Sequence, residues 1–176
     1  MTLIDPRYLP HILCILIIIG RLSDVVSTFI ASRSLKLESN PISQRYGWPF
    51  IIIISILLPF LPYITTKGAV VVIVVSFWCS ADNTSRIWLI RAVGEKEYSE
   101  FISHAMAKSS LSHALVCAYM KSFFIAAIGF SIILLCSKSS EDLVFWFGVG
   151  ILSIAISNAM TSTYTLKSHF KRMAVR

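Results

Sequence analysis

Apolar residues gather into five long stretches separated by short polar breaks. Each stretch has the roughly 20 residues that a helix needs to cross a bilayer. The first predicted span covers about 9–32. A polar hairpin over 33–47 follows, and Tyr46 and Trp48 at its end suit a membrane interface. The second span covers about 48–64. Pro49 falls in its first turn, where proline is tolerated, and Pro59 and Pro62 should kink or fray its far end. Residues 65–68 read as a tight turn. The third span, about 69–91, opens on the run Ala69-Val70-Val71-Val72-Ile73-Val74-Val75 and passes through a polar patch over 80–86. The fourth covers about 109–136 and the fifth about 143–166, with a turn over 137–142 between them and a basic tail after them. Residues 94–108 are too polar to span, yet Tyr98, Phe101, Ile102, Ala105 and Met106 recur at helical spacing. That pattern predicts a short amphipathic helix on the membrane surface. The expected fold is all-α: a single polytopic transmembrane bundle of five spans plus one interfacial helix.

Composition agrees with lipid as the solvent. The chain is 56% hydrophobic over 176 residues, with a mean hydropathy of +0.74, and carries more apolar surface than a core of its size can bury. The N-terminus lacks the features of a secretory signal, since Asp5 precedes the only early cation, Arg7, and no small-x-small pattern follows. The first helix is therefore expected to persist in the mature protein. The net charge of +7 could suggest nucleic acid, but the cations flank the spans instead of forming one basic face, so no nucleic-acid partner is expected. Five spans place Arg7, Lys67 and Lys138 on one side. Arg33, Lys36, Arg45, Arg91, Lys96, Lys108, Lys167, Lys171, Arg172 and Arg176 fall on the other. This bias predicts an inner (plasma) membrane protein with its N-terminus outside and its C-terminus in the cytoplasm. Cys14, Cys79, Cys117 and Cys136 lie in apolar stretches without a C-x-x-C spacing and read as small apolar side chains.

The candidate chemistry is a set of charges inside the spans. Gly20, Asp24 and Thr28 stack on one face of the first helix, with Arg21 and Ser27 beside them. An ionised Asp in hydrocarbon costs at least ~3 kcal/mol, so it should face partners or water. Measured from the expected cytoplasmic end of their spans, Asp24, Asp82 and Asn158 all lie about 12–14 Å deep, and Lys121 enters from the same side at about 18 Å. Arg21 and Arg86 stand at i,i+3 and i,i+4 spacing from Asp24 and Asp82, which allows local ion pairs. These positions predict one polar layer open to the cytoplasm, with Glu38 and Asn40 at its mouth. Three readings compete for its charges. The Arg–Asp pairs could serve helix packing alone. Asp24 with Glu38 could ligate a hard cation, although the neighbouring arginines already neutralise the carboxylates. Arg21, Arg86 and Lys121 could donate to an anionic headgroup or phosphate. Asn40-Pro41 also reads as a turn that re-aims the chain. His104 and His113 read as interfacial, and Trp78, Trp88 and Trp146 as interfacial or lipid-facing. No nucleophile-elbow, metalloprotease or phosphate-loop motif is present, so neither an enzyme nor a cofactor or resident metal is expected.

The pattern Asp24-x-x-x-Thr28 followed by Glu38-x-Asn40-Pro41 resembles a family of small prokaryotic polytopic membrane proteins whose first helix carries Asp-x-x-x-Thr ahead of Glu-x-Asn-Pro. It covers about 20–42, and Leu35-Lys36-Leu37 stands where those proteins usually have a glycine. The resemblance implies that Asp24, Thr28, Glu38 and Asn40 form one site, and it implies no activity.

The resulting expectation is a protein that binds a small ion, an anionic headgroup or a solute in its polar layer, as a minor transporter or accessory subunit. One alternative is an interaction protein (an immunity, exclusion or assembly factor) gripping another membrane protein or a second copy through small-residue faces: Ala126, Ala127 and Gly129, with Gly148, Gly150 and Ala155. Another is a membrane enzyme acting on lipid with Asp24 or Glu38 as base.

Overall fold

The computed structural model describes residues 5–35, 37–38, 40–135 and 142–174, with the side chains of Pro41, His169 and 171–174 left aside. The expectations for Lys36, Cys136, Lys138, Arg176 and the turn over 137–141, and for the side chains of Lys171 and Arg172, lie outside the described residues. Among the described residues six α-helices follow one another: α1 (Leu9–Ala31), α2 (Pro41–Leu57), α3 (Thr66–Val93), α4 (Glu95–Lys108), α5 (Leu111–Leu135) and α6 (Leu143–Ala174). A 3₁₀ segment, Leu58–Tyr63, continues α2. Five segments of the described residues are long and apolar enough to cross a membrane: Leu9–Ala31, Ile42–Tyr63, Thr66–Val93, Leu111–Leu135 and Leu143–Ser168. The chain is a multi-pass helical membrane protein.

Several boundaries differ from the hydropathy pattern for local reasons. The second helix starts at Pro41, well before the expected residue 48, because Asn40 is its N-cap, accepting from the Ile42 N–H at 2.9 Å, and Pro41 takes the first helical position. Asn40-Pro41 thus both turns the chain and starts a helix. Gly47 breaks that helix with φ of 70°, a backbone that only glycine adopts without strain. The helix restarts so that Pro49 stands in a first turn, and it tightens to 3₁₀ where Pro59 and Pro62 remove donors. The expected turn at 65–68 is instead a helix start: Thr65 caps α3 by accepting from the Gly68 N–H at 3.2 Å. The expected basic tail is the last part of α6, since Lys167 and its neighbours continue the helix to Ala174.

Packing runs from α5 to α6, from α6 to α3 and from α3 to α1, with α2 leaning on α1 and the 3₁₀ segment. Parallel α1 and α3 keep nearly the same register, which shifts by one residue over two turns. Gly20 meets Ser76, where an added Cβ would lie 3.2 Å from the Ser76 Cβ, and Thr28 meets Asn83 one period of eight residues further along α1. Leu13 and Ile17 pack with Ala69 and Val70 in one core cluster, which Leu143 and Trp146 border. Trp146 therefore faces the bundle rather than lipid, whereas Trp88 is 70% exposed. A second cluster joins Val74, Ile125, Ile154 and Ala155. Gly129 and Gly148 bring α5 and α6 backbone to backbone, and Gly150 brings α6 against Val74. The glycines of the small-residue faces are consumed inside the chain. Large apolar side chains such as Ile15, Leu22, Ile53, Phe123 and Ile128 point outward, as lipid-facing positions require.

Candidate functional site

The charges of α1 form a closed unit. Arg21 Nη1 donates to Asp24 Oδ2 at 2.6 Å, and Arg21 Nη2 donates to the Ser55 hydroxyl of α2 at 3.1 Å. The two charged side chains are only 15% and 14% exposed. Placed inside a span, they neutralise each other and tie α1 to α2. The Arg21 Nε is buried without a hydrogen bond.

The α3 charges belong to a second, more open unit. Arg86 donates to Asp82 Oδ2 at 2.5 Å, and Lys121 of α5 reaches Asp82 Oδ1 at 3.3 Å. The side chains of Arg86 and Lys121 are 46% and 51% exposed. Successive helical residues point about 100° apart. Asp82 therefore faces α5 while Asn83 faces α1, donating to Thr28 Oγ1 at 2.9 Å and less closely to Ser27 Oγ at 3.5 Å. Asn158 of α6 keeps its Nδ2 buried without a partner. Asp24, Asp82 and Asn158 thus take separate partners, or none, and have no hydrogen bond or ion pair with one another. Half-buried Cys79 lies within electrostatic reach of Arg21, Asp24, Glu38 and Asp82 alike, so the two units border one region.

Beside that region the ends of α1, α3 and α6 and the flank of α4 enclose a cavity of about 540 Å³. Thr28, Glu38 and Arg86 line it, and so does Asn83, which the motif reading did not single out. Hydroxyls of Ser32, Tyr98, Ser99, Ser103, Tyr164 and Ser168 contribute further to the wall, and Ile90, Ile102 and Met106 supply its apolar part. Glu38 is held in place locally: its Oε1 accepts from the Asn40 N–H at 2.9 Å, and its carbonyl accepts from the Gln44 side-chain amide. Asn40 thus acts as a support for Glu38 and as a helix cap. Ser32 donates to Glu95 Oε1 at 2.6 Å, which fastens the end of α1 to the start of α4 beneath the cavity. Arg21, Asp24, Asp82, Lys121 and Asn158 stand outside the lining. His104 is exposed on α4, and His113 pairs with Ser110 at 2.8 Å. Among the described residues no three His, Cys, Asp or Glu side chains converge as a metal site requires.

Asn83 stands out once burial is known: Ala69, Ser76, Asn83 and Ile90 recur every seven residues on α3, and all but Asn83 are buried. An amide in an otherwise buried stripe needs a partner on the facing helix. Asn83→Ala is expected to lower stability by about 0.6–2 kcal/mol, read from the unfolding midpoint in mixed detergent, the range for a single interhelical hydrogen bond in a membrane bundle.

Comparison with protein-family models, with curated proteins and with solved structures finds no match to this chain.

Proposed function

We propose that the protein binds a small ion, or an anionic solute or headgroup, in the cavity between the ends of α1, α3, α4 and α6. It serves as a minor transporter or as an accessory subunit of the inner membrane. In this reading the N-terminus lies outside, the C-terminus and the cavity face the cytoplasm, and α4 lies along the interface. The cation bias supports that orientation, because Arg33, Arg45, Arg91, Lys96 and Lys108 all stand at the cavity end. One observation carries the proposal. Thr28, Glu38 and Arg86 come from three separate segments and line a single space, although an ion pair that serves packing alone needs no cavity. Arg86 and Asn83 offer donors, Glu38 offers an acceptor, and the hydroxyls adapt to either. The resemblance to the Asp-x-x-x-Thr and Glu-x-Asn-Pro proteins groups Asp24, Thr28, Glu38 and Asn40, of which Thr28 and Glu38 line the cavity, Asn40 supports Glu38 and Asp24 stands outside the lining.

The test is native mass spectrometry of the full chain purified in mild detergent. A small bound mass is expected in the wild type. If the bound mass is an anion, Arg86→Gln should lower its occupancy more than tenfold, and if it is a cation, Glu38→Gln should, the cost of one charge-assisted contact of about 1.5–3 kcal/mol. Retention of that mass at wild-type occupancy in both variants contradicts the proposal.

A further inference from the structure

Where α1 and α3 leave the bundle at the same end, each puts an arginine at its exit. Arg33 follows the end of α1, and Arg91 lies in the last turn of α3. A cleft of about 330 Å³ opens between them, next to the larger cavity and sharing Ile90 with it, with Phe29, Ile30 and Ile90 on its apolar wall and Glu95 at its edge. Both arginines are exposed, and neither has a carboxylate partner among the described residues. Arg33 is held in position from two sides. Its guanidinium lies 4.8 Å from the centre of the Phe29 ring, and its carbonyl accepts from the Trp48 indole N–H at 3.0 Å. Glu95, the one acid among the described residues that line the cleft, directs its Oε1 to the hydroxyls of Ser32 and Ser34, each at 2.6 Å.

Phe29 and Ile30, 45% and 38% exposed, lie within the α1 span, Arg33 follows the end of that span and Arg91 lies in the last turn of α3, so the wall passes from apolar to basic towards the span ends. A phospholipid has the same order, with acyl chains below an anionic phosphate. Guanidinium forks match phosphate oxygens in pairs, and basic clefts between spans on the cytoplasmic side capture anionic headgroups. We propose that this cleft seats an anionic phospholipid, with Arg33 and Arg91 on its phosphate and an acyl chain against Phe29 and Ile30. Arg33 and Arg91 line only this cleft, which borders the larger cavity at Ala31 and Ile90.

The full chain in mild detergent is titrated with phosphatidylglycerol, with phosphatidylcholine and with inorganic phosphate, and bound species are counted by native mass spectrometry. Phosphatidylglycerol is expected to bind about tenfold more tightly than phosphatidylcholine, the span of one charge-assisted contact. The double variant Arg33→Gln/Arg91→Gln should lose that preference. Arg45→Gln, which removes a cation at the same end but outside the cleft, should keep it. Equal binding of both lipids overturns the proposal. So does an Arg45→Gln loss as large as that of the double variant, which marks a diffuse charge effect. Displacement of the lipid by inorganic phosphate at matched concentration assigns the site to free phosphate and overturns it as well. If the double variant does not fold, Arg91→Gln alone decides, with a severalfold loss of preference expected and an unchanged preference contradicting the site.

Discussion

Gly148→Leu is expected to destroy the packing of α5 on α6. A Cβ at Gly148 would lie 2.8 Å from the Ile133 Cγ1 and 2.9 Å from the Gly129 carbonyl oxygen. Seen from the other helix, a Cβ at Gly129 would lie 2.9 Å from the Gly148 carbonyl and 3.0 Å from the Leu152 nitrogen. Backbone atoms cannot swing aside as the tip of a long side chain can, so even alanine forces the helices apart. Overpacking of this kind costs about 1–3 kcal/mol for a small addition, and leucine adds three further carbons. Because α6 is the main neighbour of α5, separation exposes the whole α5 face, including the Tyr119–Thr163 hydrogen bond of 2.9 Å. The expected result is a loss of more than about 3 kcal/mol, seen as a collapse of the unfolding midpoint in mixed detergent and loss of the monodisperse peak on size exclusion. Ala127→Leu, two residues from Gly129 and pointing outward, should be neutral. A stable, monodisperse Gly148→Leu protein that fails only to associate with a partner would return these glycines to an intermolecular role.

Arg21→Met should be the next most damaging change, and its reversal is the informative part. The substitution strands the Asp24 carboxylate, 14% exposed, within a span and also releases Ser55 of α2. Removing one partner of a buried ion pair costs about 3–5 kcal/mol, whereas removing both often costs little. The double variant Arg21→Met/Asp24→Leu should therefore recover most of the stability lost by the single one. Recovery identifies the pair as a packing device joining α1 to α2, and ligand occupancy in the double variant should then stay near wild type. A double variant as unstable as Arg21→Met contradicts the closed unit described for α1.

The number of spans was legible because apolar runs near 20 residues have no other stable solution in a chain this hydrophobic. Helix ends were less so. Hydropathy marks where lipid ends, and α6 continues past that point to Ala174 because Lys167 and the basic residues beyond it are good helix formers. At Asn40-Pro41 the chain carries a turn signal and a helix-start signal in the same two residues, and only the first was read from the pattern. Within the site, the charged residues were visible as anomalies in apolar helices, and their i,i+3 and i,i+4 ion pairs followed from spacing alone. Depth was the coordinate available from sequence; direction around each helix was not. Asp82 and Asn83 share a depth and face different neighbours, so the expected single layer resolves into an α1–α2 pair, an α3–α5 cluster and a cavity beside them. Tyr98, Ser99 and Ser103 enter the cavity because α4 folds back across the bundle end, which no periodicity within α4 could reveal.

Sided labelling at the cavity wall tests the orientation and openness of the site together. Ser103→Cys is placed in a background with Cys14, Cys79, Cys117 and Cys136 replaced by serine, alongside Tyr8→Cys, which stands exposed at the opposite end of α1. A membrane-impermeant maleimide should modify Ser103→Cys in inside-out vesicles alone and Tyr8→Cys in right-side-out vesicles alone. Modification of Ser103→Cys from the outer face, or of both positions from one face, contradicts a cavity open to the cytoplasm.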